Sequence, residues 1–174
     1  ETAIIQSTKR RTLWLGANLI TAILAAAAIG IFEATIEKIV TLAILMPIVA
    51  SMGGIAGMQS LALVIRSQAT NQIGSSNSKL LILKESAIGV LNGILWSSVV
   101  SIAVYLWFDS VFLGVVIAVA LLVNLIIGAI SGVTLPLILK KLNIDPAIAG
   151  GVILTTITDI VGFISLLGVA TLIM

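Results

Sequence analysis

A single carboxylate, Asp159, lies near the middle of an apolar stretch that runs from Pro146 to Met174. This stretch is long enough to cross a bilayer, which takes about 20 mostly apolar residues. An isolated charge at the centre of a membrane helix costs at least about 2.5–3.5 kcal/mol, so such a residue normally faces water, an ion or a partner group. We therefore interpret Asp159 as functional. The structural alternative is an Asp that is protonated or hydrogen-bonded to a neighbour.

Small and hydroxyl-bearing residues surround this carboxylate. At 3.6 residues per turn, Gly151 and Thr155 lie on the same helix face as Asp159. The face leaves room for water or a hydrated cation, and its oxygen ligands suit hard cations such as Mg²⁺, Ca²⁺ or Mn²⁺. The sequence therefore predicts a metal site formed by Asp159, Thr155, Thr158 and Gly151.

One carboxylate offers little charge to a divalent cation. Two-fold dimers are the commonest oligomers, and a dimer with its last spans facing would bring two copies of Asp159 together. Mg²⁺ gives up its water reluctantly, so it would stay hydrated and be held through waters. These residues suggest a dimeric cation pathway without choosing the ion.

The composition indicates which class of protein must position these residues. Of 174 residues, 60 % are hydrophobic and 9 % are charged, against about 25 % charged in soluble domains, so we expect a membrane protein. The absence of cysteine and histidine excludes disulfides, thiolate or imidazole metal sites, and Cys or Ser–His nucleophiles. The net charge of +2 is small, and we interpret the basic residues as topology signals, with no nucleic-acid partner.

Five apolar stretches predict an all-α, polytopic fold with five transmembrane helices. They cover residues 13–32, 39–65, 85–108, 111–139 and 146–173. With the N-terminus inside, eight of the nine Lys and Arg residues are cytoplasmic and only Lys38 is outside. The positive-inside rule therefore predicts a cytoplasmic N-terminus and an outer C-terminus. Residues 1–11 would form a cytoplasmic segment and residues 12–174 the five-helix membrane domain.

The second span is unusual for a membrane helix. It contains Pro47 and three glycines within five residues. Proline removes a backbone donor and the glycines loosen the helix, which a bilayer tolerates where the freed groups are buried or line a wet cavity. A small-xxx-small pair also permits close helix approach. Two interpretations stay open, a packing interface and a pore-lining or gating segment formed by Pro47, Gly53, Gly54, Gly57 and Gln59.

Three polar residues stand out elsewhere. Asn124, central in the fourth span, is most simply an interhelical hydrogen-bonding residue, with a place in a pore as the alternative. Glu85 begins the third span, where it is either an acid stabilised by the helix dipole or a cation-attracting group at an inner mouth. Asp145, followed by Pro146, is typical of a helix start.

Two motifs occur together in one known family. The stretch Pro47–Arg66 has a Gly-Gly-x-x-Gly-x-Gln core, and the Asp-Pro-Ala of residues 145–147 precedes a Thr-Thr-x-x-Asp-x-x-Gly motif over residues 155–162. These motifs resemble the second and fifth membrane helices of the MgtE family of magnesium channels and transporters. The resemblance covers residues 12–174, essentially the whole chain.

The resemblance implies a plasma-membrane homodimer, with a pore near the dimer interface lined by the second and fifth membrane helices. It implies that hydrated Mg²⁺ is the transported ion, held at Asp159, and that the protein is not an enzyme. Two features depart from the family: Ile55 stands where asparagine is usual, and the family's cytosolic regulatory domains do not occur in these residues. Because the chain also begins with Glu1, we expect a fragment, a processed chain or a member without those domains.

Three other functions are alternatives to a magnesium pore: a coupled carrier, an intramembrane protease and a structural subunit. A proton- or ion-coupled carrier of Mn²⁺, Co²⁺ or Ca²⁺ would also use Asp159. An intramembrane aspartyl protease needs two cooperating carboxylates, and this chain offers only Asp159 at depth. A structural subunit of a larger complex leaves the two unusual spans unexplained. We therefore expect divalent-cation transport, with Mg²⁺ as the first candidate.

Overall fold

The computed structural model describes residues 1–74 and 77–174 of the chain. All of the regular structure in these residues is helical, and five helices are long and apolar enough to span a membrane. The predicted all-α fold with five spans is therefore confirmed. The helices in chain order are α1 (Thr2–Ile31), α2 (Glu33–Lys38), α3 (Thr41–Ala69), α4 (Ser78–Phe108), α5 (Val111–Lys141) and α6 (Pro146–Ile173).

Four of the five long helices extend at one end beyond the apolar stretches that predict them. Helix α1 begins at Thr2 and includes the basic residues 9–11, because helical hydrogen bonding continues where the side chains become polar. The connection between the second and third predicted spans, residues 66–84, is correspondingly shorter, because α3 continues to Ala69 and α4 begins at Ser78. Residues 75 and 76 lie outside the described part of the chain. Apolar length therefore predicts the number of spans better than their ends.

The short connections have clear local causes. Asp109 ends α4 in the left-handed conformation (φ 50°), and the Ser110 hydroxyl accepts a hydrogen bond from the Leu113 amide at 3.2 Å. Before α6, the Asp145 carboxylate accepts a hydrogen bond from the Ala147 amide at 3.0 Å. The predicted helix start at Asp145 is confirmed.

Helix α5 lies at the centre of the bundle. It packs against α3, α4 and α6, while α6 also packs against α1 and α3. The α5 segment is the most apolar of the five spans. Its small residues let the neighbouring backbones come close, as membrane helix packing requires. Helix α5 therefore fixes the relative positions of the helices that carry the candidate site.

Helix α3 is not broken, in contrast to the loosening expected from its proline and glycines. It runs without interruption from Thr41 to Ala69. Its glycines instead allow α5 to approach, since a Cβ atom added to Gly128 would lie 2.5 Å from the carbonyl oxygen of Gly53. A Cβ atom on Gly57 would lie 3.0 Å from the carbonyl oxygen of Gly128. The Gly53–Gly57 pair therefore packs against α5, and the helix continues through it without a break.

Candidate functional site

Asp159 has no hydrogen-bonding partner among the described residues, although three threonines lie within four positions of it. The Thr155 hydroxyl donates to the carbonyl oxygen of Gly151 at 2.9 Å, and the Thr158 hydroxyl donates to that of Leu154 at 3.1 Å. The Asp159 side chain is half-buried, and neither of its oxygens is sealed from solvent. In the described residues, Asp159 therefore does not form the hydrogen bond to a neighbour that was its structural alternative.

The threonine hydroxyls can still serve a cation. Their hydrogens point along α6 to backbone carbonyls, as is common for Ser and Thr in helices, so oxygen lone pairs remain available. Thr155 is half-buried on the Asp159 face, whereas Thr158 is fully buried against α3. A Cβ atom on Gly54 would lie 3.7 Å from the Thr158 hydroxyl oxygen. The oxygen-rich segment of α6 therefore lies beside the glycine-rich segment of α3.

Gly151 lies at the other end of the same helix contact. A Cβ atom added to it would lie 3.3 Å from the terminal methyl group of Met58 on α3. Met58 itself is 38 % exposed. The α3–α6 contact therefore runs from Gly54 and Thr158 to Met58 and Gly151, and part of it faces outward.

The described part of the chain brings a single carboxylate, Asp159, to this site. The described residues contain no group of three or more Asp, Glu, His or Cys side chains that could hold a metal ion. A divalent ion at Asp159 would therefore need charge from another copy of the chain, or it would keep much of its hydration shell.

Asn124 joins three helices. It is fully buried on α5, and its side-chain amide donates to the carbonyl oxygen of Val49 on α3 at 2.8 Å. A Cβ atom on Gly162 of α6 would lie 2.8 Å from the same amide nitrogen, and one on Gly53 would overlap the amide group. Asn124 thus occupies a slot between two glycines and makes the interhelical hydrogen bond that was its simplest interpretation.

The other candidate residues lie on α3 and α4. Pro47 is exposed near the start of α3. Ile55 and Gln59 line a cavity of about 330 Å³ between α3 and α4. Glu85 is buried on α4 and accepts a hydrogen bond from the hydroxyl of Ser60 on α3 at 2.8 Å. Helix α3 therefore presents Gly54 to α6 on one side and the Gln59 segment to α4 on the other.

The sequence analysis assigned no functional role to Ser60, the hydrogen-bond partner of Glu85, or to Asn92, which lines the same cavity as Gln59. A buried acid needs a hydrogen-bond donor, and that requirement was the available signal for a partner of Glu85. The sequence contains several serines and threonines near helix ends, so the signal could not select Ser60. Only the placement of α3 and α4 side by side on α5 brings Ser60 within hydrogen-bonding distance of Glu85.

The comparisons with known proteins identify relatives over nearly the whole chain. A family model, MgtE, described as a divalent cation transporter, matches residues 46–169. The chain is 37 % identical over 162 residues to the magnesium transporter MgtE of Bacillus subtilis strain 168, which covers 93 % of this chain and 36 % of that protein. It is 30 % identical over 164 residues to the magnesium transporter MgtE of Thermus thermophilus, covering 94 % of this chain and 36 % of that protein.

A third relative, the magnesium transporter MgtE of Enterococcus faecalis, is 29 % identical over 170 residues, or 98 % of this chain and 38 % of that protein. The chain thus spans a little over one third of the length of the curated relatives it matches. These relatives are transporters and not enzymes. Because the family model matches most of the chain, this protein belongs to the MgtE family of divalent cation transporters.

Proposed function

We propose that this chain forms the membrane pathway of an Mg²⁺ transporter and that Asp159 holds the ion. The observation that carries the proposal is a half-buried carboxylate within a spanning helix, with no hydrogen-bonding partner in the described residues. Such a charge is costly in a bilayer unless it meets water or a cation. The names of the relatives support Mg²⁺ as the ion.

The ligand chemistry favours a hard cation that keeps water. Around Asp159 the accessible groups are the Thr155 hydroxyl and the backbone near Gly151, whereas the Thr158 hydroxyl is fully buried against α3. Oxygen ligands suit Mg²⁺, which usually keeps several waters and takes one or two carboxylates. Asp159 would therefore hold the ion through its hydration shell, and Thr155 and Gly151 would orient those waters. Thr158 would support the site from behind, where it is buried beside Gly54 of α3.

Charge balance supports a homodimer. One protomer supplies a single carboxylate at this depth, and two copies about a two-fold axis would supply two. The partly exposed α3–α6 contact at Met58 and Gly151 is the surface we assign to the pore. The glycine-rich segment of α3, with Gly54 beside Thr158, would line it. The membrane is the plasma membrane, with the N-terminus in the cytoplasm.

The test is Mg²⁺ uptake by the purified full-length protein in liposomes, followed with an enclosed Mg²⁺ indicator. We expect Asp159→Asn to reduce uptake by at least about tenfold, since it removes the charge and keeps the side-chain size. The matched control is Asp109→Asn, an acid at a helix end whose left-handed backbone (φ 50°) asparagine also tolerates. Unchanged uptake by a correctly assembled Asp159→Asn protein would contradict the assignment.

A further inference from the structure

Glu85 is the only ionisable side chain among the buried residues that the structure describes. It is 5 % exposed, and one carboxylate oxygen, Oε2, accepts a hydrogen bond from the Ser60 hydroxyl at 2.8 Å. Its neighbour Lys84 lines a different cavity. A buried charge without an opposite charge is strongly disfavoured in a membrane protein. The negative charge of Glu85 must therefore be offset by something other than a basic side chain.

A cavity of about 150 Å³ lies against this carboxylate, between α3 and α4. Its polar walls are Glu85, Ser60, Gln59 and Asn92, and the remaining walls are apolar. The second carboxylate oxygen, Oε1, has no hydrogen-bonding partner in the described residues and is not sealed off. Since one water takes about 30 Å³ of liquid volume, the cavity has room for a small cation and a few waters.

The cavity beside Glu85 is connected to a groove between α3 and α4. It shares Gln59 and Asn92 with the neighbouring cavity of about 330 Å³, which continues along the α3–α4 groove past Ile55 and Trp96. An ion could therefore reach Glu85 along this groove without crossing the α3–α6 contact, where Thr158 faces Gly54.

The donor set indicates which ion would bind. The side chains provide one carboxylate, one hydroxyl and two amides, so every available ligand atom is an oxygen and the total charge is −1. Oxygen ligands favour hard cations. A monovalent cation would neutralise the site, whereas a divalent one would leave a net positive charge in a low-dielectric region. Ser60 already donates its hydrogen to Glu85 and keeps lone pairs for the ion.

We propose that Glu85, Ser60, Gln59 and Asn92 form a site for one hard monovalent cation, Na⁺, distinct from the Asp159 site. The Glu85 carboxylate is the anionic ligand, and the three neutral side chains complete the shell together with water. The site lies on the α4 side of α3, and the Asp159 site lies on the α6 side.

The experiment measures equilibrium binding of radioactive Na⁺ to the purified full-length protein in detergent, with choline keeping the ionic strength constant. We expect saturable binding of one Na⁺ per protomer. Glu85→Gln keeps the size and an acceptor for Ser60 but removes the charge, so affinity should fall at least about tenfold. Asp159→Asn should keep Na⁺ binding, which separates this site from the proposed Mg²⁺ site.

A second variant tests the site in case the Glu85→Gln protein does not fold. Asn92→Ala removes one neutral ligand on the exposed side of the cavity and leaves the Ser60–Glu85 hydrogen bond intact, and we expect Na⁺ affinity to fall about fivefold. The proposal is overturned if the wild-type protein binds no Na⁺ saturably, or if every folded variant at Glu85 and Asn92 binds Na⁺ as the wild type does. It is also overturned if Mg²⁺ displaces Na⁺ from Asp159→Asn protein at equal or lower concentration, because the cavity would then be a divalent site.

Discussion

At the scale of single residues, two adjacent threonines provide a test of the Asp159 face. The Thr155 and Thr156 hydroxyls both donate to the carbonyl four residues back, at 2.9 Å and 2.7 Å. Both lie within one turn of Asp159, but successive helical residues are about 100° apart, so they flank it on opposite sides. Thr156 is on one flank, and Thr155 is on the other, the face that also carries Gly151 and Thr158 and contacts α3. Hydroxyl oxygens on that face can bind the waters of a hydrated ion, so Thr155 should contribute to ion binding and Thr156 should not.

We therefore expect Thr155→Val, which is nearly isosteric, to weaken the apparent Mg²⁺ affinity about fivefold, corresponding to the loss of about 1 kcal/mol. Thr156→Val is the matched control, because it loses the same kind of intrahelical hydrogen bond and should leave the affinity unchanged. The measurement is the Mg²⁺ concentration dependence of uptake in liposomes. Equal effects of the two substitutions would argue against a specific role for the Thr155 oxygen.

At the scale of helices, the contact of α3 with α5 depends on a glycine that faces an asparagine. A Cβ atom on Gly53 would overlap the Asn124 amide, so Gly53→Ala should reduce the free energy of unfolding by about 1–3 kcal/mol. Asn124→Ala alone should also destabilise, because it removes the hydrogen bond to the Val49 carbonyl. In the double variant, the alanine at position 124 makes room for the added methyl group. The double variant should therefore lose less free energy of unfolding than the two single variants lose together.

This coupling is expected to be about 0.5–3 kcal/mol, as for residues in direct contact. It can be measured as a double-mutant cycle from unfolding of the protein in mixed micelles. Gly54→Ala serves as the control, since its added methyl would lie 3.7 Å from the Thr158 hydroxyl in ordinary contact. Additive effects of Gly53→Ala and Asn124→Ala would show that the glycine does not pack against the amide in solution.

The sequence could predict the features of the fold that depend on neighbouring residues, and it could not predict those that depend on contacts between distant helices. Five apolar stretches and the Asp145–Pro146 start are local signals, and the structure confirms both. The continuity of α3 was not predictable, because the use of Gly53 and Gly57 depends on residues of α5 more than 60 positions away in the chain. Asp159 could be predicted from the sequence alone, because the cost of a charge within a span is a local signal. Ser60 could not be predicted as the partner of Glu85, because that contact depends on how the helices pack.

For the assembled transporter, the proposed two-fold pore rests on the single carboxylate that one chain brings to the Asp159 site. If the α3–α6 contact faces its copy across this axis, Met58 must lie near the Met58 of the partner, since it is 38 % exposed at that contact. Leu91, on α4, is 69 % exposed on another helix and would face lipid. The sequence contains no cysteine, so a single introduced cysteine reports on one position without background from this part of the protein.

We expect Met58→Cys to form a covalent dimer with a short bis-maleimide, and Leu91→Cys to remain monomeric on denaturing gels. A flexible crosslinker is preferable to direct oxidation, because a disulfide requires Cα atoms within about 7 Å and cannot span a wider water-filled pore. The reaction should be run on membranes at low protein density, where collisions between separate dimers are rare. If Leu91→Cys crosslinks efficiently and Met58→Cys does not, the copies meet through α4. Each Asp159 would then lie in a separate pathway, and the charge-pairing argument for the dimeric pore would fail.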